Sequence, residues 1–347
     1  MAARQAIPAD PRHPPVSESP VMKKVLRFLR LFLLGVIAVV AVCAALLAYF
    51  VYSPEPAAPQ LSGALSKGSI EVGGLKRSYV SYVPRGLPKN APLLLVMHGS
   101  GESANQIRVE TGYEFERLAD QHGFAVVYPN SHSFDWNDCG KVGEHTANGR
   151  EVDDVAFLGA LVDQQVVAVG VDAKRVFATG VSAGGFMALR LALETPAKFR
   201  AVAAVAANVQ VADNFKCQPT GQAIPVMIMT GTKDPLVPFD GGEVNLLGLF
   251  YKSGYVRSSR DSAQYFTERN GLAGAPHTQM GTTADGVGVE QLLWRADGKP
   301  EVEMIAIHGG GHGLPQAYYR RPRLLGPSPM TPDGPAMIWA FFARQQP

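Results

Sequence analysis

The chain has almost no excess of charge: 32 Lys and Arg against 30 Asp and Glu leave a formal +2 over 347 residues. No basic stripe with interleaved aromatics is there to follow a phosphate backbone, so nucleic acid is excluded as a partner. Cysteine is equally sparse. The three cysteines, Cys43, Cys139 and Cys217, show no C-x₂-C spacing, and the eight histidines offer no H-x₃-H pair on a helix. No metal cluster appears in that spacing, and neither a metal nor another cofactor is expected. Charged residues make up only 18% of the chain against 46% hydrophobic, which argues against disorder and for a full core of one large domain or two small ones.

One apolar run stands out. Leu31 to Tyr52, "LFLLGVIAVVAVCAALLAYFVY", carries no charge and is long enough to cross a hydrocarbon core as a helix. Lys23, Lys24, Arg27 and Arg30 precede it, a bias that keeps the N-terminus in the cytoplasm and sends the remainder across the membrane. The competing reading is a signal peptide removed on secretion. Against it stand the length of the run, the long leader and the lack of an A-x-A site. The expected layout is therefore a disordered cytoplasmic tail over residues 1–30, a transmembrane anchor over 31–52, a Pro-rich linker over 53–60 and the working domain over 61–347 in the periplasm or outside the cell. That compartment permits Cys139 and Cys217 to pair, although two separate buried thiols fit equally well.

Within the exported part, "SIEVGGLKRSYVSYVP" (Ser69 to Pro84) reads as a hairpin turning at Gly73-Gly74. Unbroken apolar runs follow at Ala91–Gly99, Phe124–Pro129, Arg175–Gly180, Ala201–Ala206, Pro225–Gly231 and Glu301–Gly309, as expected for strands covered on both faces of a parallel sheet. Helical periods lie between them at Glu114–Gln121, Asp153–Val167, Ala183–Glu194, Asp261–Asn270 and Pro332–Gln345. Asp153 and Asp154 are expected to cap the second of these. The alternation predicts a three-layer α/β domain with its ligand at the carboxyl ends of the strands. Ser131–Val152 and Gly241–Arg260 are loop-rich insertions able to shape a pocket.

The chemistry concentrates at those strand ends. Gly180-Val181-Ser182-Ala183-Gly184 is G-x-S-x-G between a predicted strand and a predicted helix, the context that motif requires to expose a nucleophilic hydroxyl. Ser182 needs a base, and "IHGGGHGLP" supplies His308 and His312. His312, in the glycine-rich loop, is preferred. The base needs a carboxylate, and "GTKDPLVPFD" supplies Asp234 next to the strand end and Asp240 further on, with Asp234 preferred. Ser, Asp, His is the chain order of α/β-hydrolases. In "MHGSGES" the backbone N–H of Ser100, or that of Gly101, is expected to form an oxyanion hole with the N–H of Ala183, while His98 ties the loop down. Trp136 and Asp138 of "FDWNDCG" are candidates for the pocket mouth.

With these residues in place, the chain resembles the polyhydroxybutyrate depolymerase and feruloyl esterase group of carbohydrate-esterase-like α/β-hydrolases. The resemblance runs from about Gly73 to Pro315 and is carried by "LLLVMHGSGESANQ", "FDWNDCG", "VDDVAFLGALVD", "RVFATGVSAGGFMALRLALETPAKF", "GTKDPLVPF", "FTERNGLAGAP" and "GGGHGLP". It implies an α/β-hydrolase fold and a serine esterase with Ser182 as nucleophile, Asp234 as acid and His312 as base. Leu314 stands where the family commonly has tryptophan, making it a candidate pocket residue, and Leu272 and Ala296 stand where secreted members carry a further cysteine pair. The chain ends soon after its last helix at Pro347, without polymer-binding domains, so the resemblance favours a small or oligomeric ester over solid polyester. A peptidase, a thioesterase or a catalytically idle binding domain at the envelope are the alternatives on the same fold.

Overall fold

The computed structural model describes residues 19–141, 146–147, 150–246, 248 and 252–345. The chain divides into two compact units, Met1–Tyr52 and Ser53–Pro347. In the first, helix α1 spans Pro20–Val51, 32 residues of which none is buried, and it is long and apolar enough to cross a membrane. It starts at Pro20 rather than Leu31, so the basic residues expected in a disordered tail are helical. Ser19 caps it, its hydroxyl accepting from the Met22 N–H at 3.2 Å, and Pro20 brings a helical φ to the first turn. The rest of the expected tail, residues 1–18, lies outside the described residues.

The second unit is built on ten strands of one sheet. Strands β1 (Ala64–Val72) and β2 (Leu75–Val83) form the expected antiparallel hairpin, with Gly73 and Gly74 both at positive φ in its two-residue turn. Next come β3 (Leu93–Met97), helices α2 (Ala104–Glu110) and α3 (Glu114–His122), then β4 (Ala125–Pro129). A two-residue ladder, β5 (Thr146–Ala147) with β6 (Arg150–Glu151), precedes α4 (Asp154–Val169), β7 (Val176–Val181), α5 (Ala183–Glu194), β8 (Ala201–Val205) and β9 (Val226–Gly231). A second short ladder, β10 (Gly242–Glu243) with β11 (Tyr255–Val256), leads to α6 (Ser259–Arg269), strands β12 (His277–Thr282), β13 (Gly288–Trp294) and β14 (Val302–Ile307), and α7 (Gly334–Arg344).

Sheet order is β1-β2-β4-β3-β7-β8-β9-β14-β13-β12. The centre, from β4 to β14, is parallel, and every residue of β3, β4, β7, β8, β9 and β14 is buried, as their uninterrupted apolar runs require. Successive side chains go to opposite layers. Leu93, Leu95 and Met97 pack with Phe157 and Leu161 of α4 and Leu191 of α5, whereas Leu94 and Val96 pack with Ile107 of α2, Phe115 of α3 and Phe341 of α7.

Two registers matter for the site. Met97 pairs with Gly180, which sets the loop after β3 beside the turn after β7, and Ile307 pairs with Gly231, which sets the loop after β14 beside the loop after β9.

The antiparallel pair β12–β13 and the short helix α2 have no counterpart in the sequence reading. Every residue of β12, "HTQMGT", is exposed, so no apolar alternation marks it, and seven residues are too few for α2 to display a helical period. Asp153 caps α4 by accepting from the Ala156 N–H at 2.8 Å. Asp154 does not cap. It is buried, paired with Arg77 at 2.6 Å and accepting from the Asn137 N–H at 2.7 Å.

Candidate active site

At the end of β7 the chain reverses through Ser182, whose φ of 56° and ψ of −122° lie in a region that residues with side chains seldom occupy. The glycines explain themselves by distance. A Cβ at Gly180 would stand 2.4 Å from the Gly184 backbone, and one at Gly185 would stand 2.7 Å from the Val205 carbonyl oxygen. The Ser182 N–H donates to the Val205 carbonyl at 2.9 Å, and its own carbonyl accepts from the Phe186 N–H at 2.9 Å. The turn is fixed on both sides, and the serine lies on a cavity of about 200 Å³ together with His312, Ser100, Leu236, Leu246 and Leu325.

His312 Nδ1 lies 2.7 Å from Asp234 Oδ2, with both side chains buried. An ionised carboxylate only accepts, so Nδ1 carries the proton and Nε2 keeps its lone pair for a hydroxyl. Asp234 Oδ1 accepts from the Leu236 and Val237 N–H groups at 2.8 and 2.9 Å, which orients the carboxylate. The His312 N–H donates to the Leu325 carbonyl at 2.7 Å. A Cβ at Gly231 would lie 2.3 Å from the Gly310 carbonyl oxygen, so the loops that carry Asp234 and His312 meet through backbone. His308 and Asp240, the alternatives, are both exposed.

The loop after β3 supplies the third side. The Gly101 N–H donates to the Phe134 carbonyl at 2.7 Å, which commits it elsewhere and leaves Ser100 as the candidate donor. Ala183 opens α5, where the first N–H groups have no intrahelical acceptor. His98 is a strut: Nδ1–H donates to the Gly99 carbonyl at 2.7 Å and Nε2 accepts from the Ser131 N–H at 3.0 Å. Burial holds its pKa below the ordinary imidazole value, which keeps it neutral for that acceptor role.

Three candidate pocket residues lie in the interior rather than on this cavity. Trp136 is fully buried behind the loop, donating its indole N–H to the His98 carbonyl at 2.8 Å, and it is not among the residues lining the cavity. Its neighbour Asp138 is also buried, accepting from the Gly140 N–H at 2.6 Å. Leu314 points into the second core, so tightly that a Cβ at Gly334 would lie 2.6 Å from its Cδ1. Both apolar side chains find more surface to bury in the core than at a rim. Cys139 and Cys217 form a disulfide, with Cα atoms 4.9 Å apart, that ties the insertion after β4 to the segment before β9.

The sequence reading did not identify Glu102, Glu110 and Arg321. Arg321 and Glu102 line the same cavity as Ser182, and Arg321 is paired with both glutamates. Glu102 had a local signal in its place just after "HGSG". Arg321 sits in the aperiodic stretch "RRPRLLGPSP" and had none.

The "Esterase PHB depolymerase" family model matches residues 77–244, which includes Ser182 and Asp234. NocK of Nocardia uniformis subsp. tsuyamanensis, which bears an esterase name, is 31% identical over 79% of this chain and 81% of its own. Feruloyl esterase C of Emericella nidulans is 28% identical over 86% of this chain and 96% of its own. Poly(3-hydroxyalkanoate) depolymerase C of Paucimonas lemoignei is 26% identical over 67% of this chain but only 58% of its own. Among solved structures, an acetyl xylan esterase from Aspergillus awamori superposes with a TM-score of 0.53 at 18% identity, covering 72% of this chain and 94% of that one, and so shares the α/β-hydrolase fold. With NocK matched across most of both chains and the family model spanning the turn at Ser182, this chain belongs to the esterase PHB depolymerase family.

Proposed function

We propose that this protein is a serine esterase that cleaves carboxylic esters through an acyl-enzyme, with Ser182 as nucleophile, His312 as general base and Asp234 as the residue that orients it. The observation that carries the reading is that His312, in a buried pair with Asp234, lines the same cavity as a serine at positive φ. Ser182 Oγ attacks the carbonyl carbon as His312 Nε2 takes its proton, and the Ser100 and Ala183 N–H groups receive the charge on the carbonyl oxygen. His312 then returns the proton to the leaving alcohol, and water repeats the cycle on the acyl-enzyme.

The cavity is small, with Leu236, Leu246 and Leu325 beside an Arg321 and Glu102 that are paired with each other, which suits a short acyl, hydroxyalkanoate or feruloyl-type group. The names of the relatives point to the same classes. Residues 61–347 form the catalytic domain in this reading, with 53–60 as its linker. Helix α1 holds it to the membrane through 31–52, with Lys23, Lys24, Arg27 and Arg30 on the cytoplasmic side and the catalytic domain in the periplasm or outside the cell. Secretion after cleavage is the alternative.

The test is hydrolysis by the full-length protein in detergent micelles of p-nitrophenyl esters of increasing acyl length and of methyl ferulate, beside Ser182→Ala. Turnover that disappears in the variant supports the reading, and the acyl-length profile separates short-acyl from feruloyl substrates. Equal turnover by both proteins would overturn the assignment of Ser182.

A further inference from the structure

Glu102 bends back beneath its own loop. Its Oε2 accepts from the Gly99 N–H at 2.8 Å, so closely that a Cβ at Gly99 would lie 3.1 Å from both carboxylate oxygens. Its Oε1 is paired with Arg321 Nη2, a contact between residues 219 apart in the chain. The same nitrogen reaches Glu110 Oε2 on α2 at 2.5 Å. On its other side Arg321 Nη1 lies 3.4 Å from the His312 carbonyl oxygen, and a Cβ at Gly313 would stand 2.6 Å from Arg321 Cδ. One guanidinium thus joins the peptide of the base to the peptide immediately before the candidate oxyanion donor. The Arg321 side chain is only 7% exposed and Glu102 only 14%.

We propose that Glu102 and Arg321 are positioning residues for ester hydrolysis, their ion pair holding the loop that carries the Ser100 N–H in register with the loop that carries His312. The physical case lies in what such a link controls. The direction of the Ser100 N–H is set by the peptide planes around Gly99, and Glu102 fixes the first of them. Small displacements at a reacting centre cost rate far more than they cost substrate affinity. A buried ion pair contributes little net stability compared with apolar residues of the same volume, so fold stability alone is a weak reason for one to stand on this cavity. The Glu102 carboxylate and the Glu110 carboxyl, both on one guanidinium nitrogen, hold Arg321 in a single orientation, as a positioning device requires. The inference rests on the assignment of Ser182 and His312 given above.

The experiment uses the full-length protein in detergent and the variants Glu102→Gln, Arg321→Lys, Arg321→Met and Glu102→Gln/Arg321→Met. Glu102→Gln is nearly isosteric, so it keeps the test alive if Arg321→Met does not fold. For each variant kcat and KM are measured with p-nitrophenyl butyrate, together with the Ki of an aryl trifluoromethyl ketone, whose adduct with the serine carries the tetrahedral oxyanion. Positioning predicts that kcat falls about tenfold to a hundredfold in Glu102→Gln while KM stays within about twofold, and that Ki rises in step with the loss of kcat. It also predicts partial recovery in Arg321→Lys, and a double variant no slower than the slower single one. Unchanged kcat in Glu102→Gln, a change confined to KM, or a loss of kcat with Ki unchanged would each overturn it. Ser182→Ala separates the two levels: turnover surviving that change removes the site assignment itself, whereas an inactive Ser182→Ala beside a fully active Glu102→Gln removes only the positioning role.

Discussion

Gly184 lies directly against Met97: a Cβ there would stand 2.3 Å from the Met97 carbonyl oxygen and 2.7 Å from that of His98. The first turn of α5 is therefore pressed onto the end of β3, which sets it beside the loop that carries Ser100, and Ser100 and Ser182 line one cavity. Backbone on both sides cannot yield as a flexible side chain would. Gly184→Ala is expected to cost about 1–3 kcal/mol of stability and most of the turnover. Gly159 in α4 has nothing within 4 Å of a Cβ, so Gly159→Ala should leave turnover intact and add up to about 1 kcal/mol. Urea denaturation and kcat on the two variants check the contrast. Equal behaviour would mean that close approach at Gly184 does not govern the turn.

Asp234 divides its work between its oxygens, Oδ2 facing His312 and Oδ1 receiving two loop amides. Asp234→Asn preserves the shape of the group but no longer enforces the Nδ1–H tautomer, so kcat should fall by about 10³–10⁴ with little change in KM, on the precedent of triads of this geometry. Asp234→Ala should also lower the denaturation midpoint, because two N–H groups lose their acceptor. A loss confined to KM in Asp234→Asn would remove the carboxylate from the catalytic set.

Legibility in the sequence followed the physical origin of each signal. Strands buried on both faces, such as β8 with its run of Ala and Val, announce themselves by the absence of polar residues, and the glycines about Ser182 by the shape of the turn they must fill. Neither β12 nor α2 had such a mark. Trp136 carried a misleading one, since an aromatic ring near a strand end suits a substrate and a core equally, and only its fully buried position decides. Arg321 was invisible because its role depends on contacts with residues more than two hundred positions away, which no local pattern encodes.

The Cys139–Cys217 bridge closes a span of 78 residues that contains β7, Ser182 and α5. On the loop-entropy account such a cross-link contributes roughly 4 kcal/mol, so Cys139→Ser/Cys217→Ser or reduction should lower the urea midpoint substantially. Neither cysteine lines the cavity, so kcat at 25 °C should hold in the fraction that remains folded. Loss of kcat without loss of stability would give the bridge a role in the site rather than in the fold.

Glu102 and Glu110 place two carboxyl groups on the one cation of Arg321. Burial lifts the Glu110 carboxyl from an ordinary 4.5 to about 8; the Arg321 guanidinium pulls it back down, and the charge on Glu102 adds to the rise. Around neutral pH the folded protein thus holds a proton that the unfolded chain has released. The contribution of that proton to stability is complete below about pH 4.5 and is lost as pH rises through about 8. Gln at position 110 imitates the protonated acid and has nothing to release. Wild-type protein should therefore lose ground to Glu110→Gln in urea midpoint between pH 5 and pH 9, and the two curves should diverge as pH rises. Parallel curves across that range would show that Glu110 ionises at the same pH folded and unfolded, and the cluster would then carry two full negative charges around Arg321 at neutral pH.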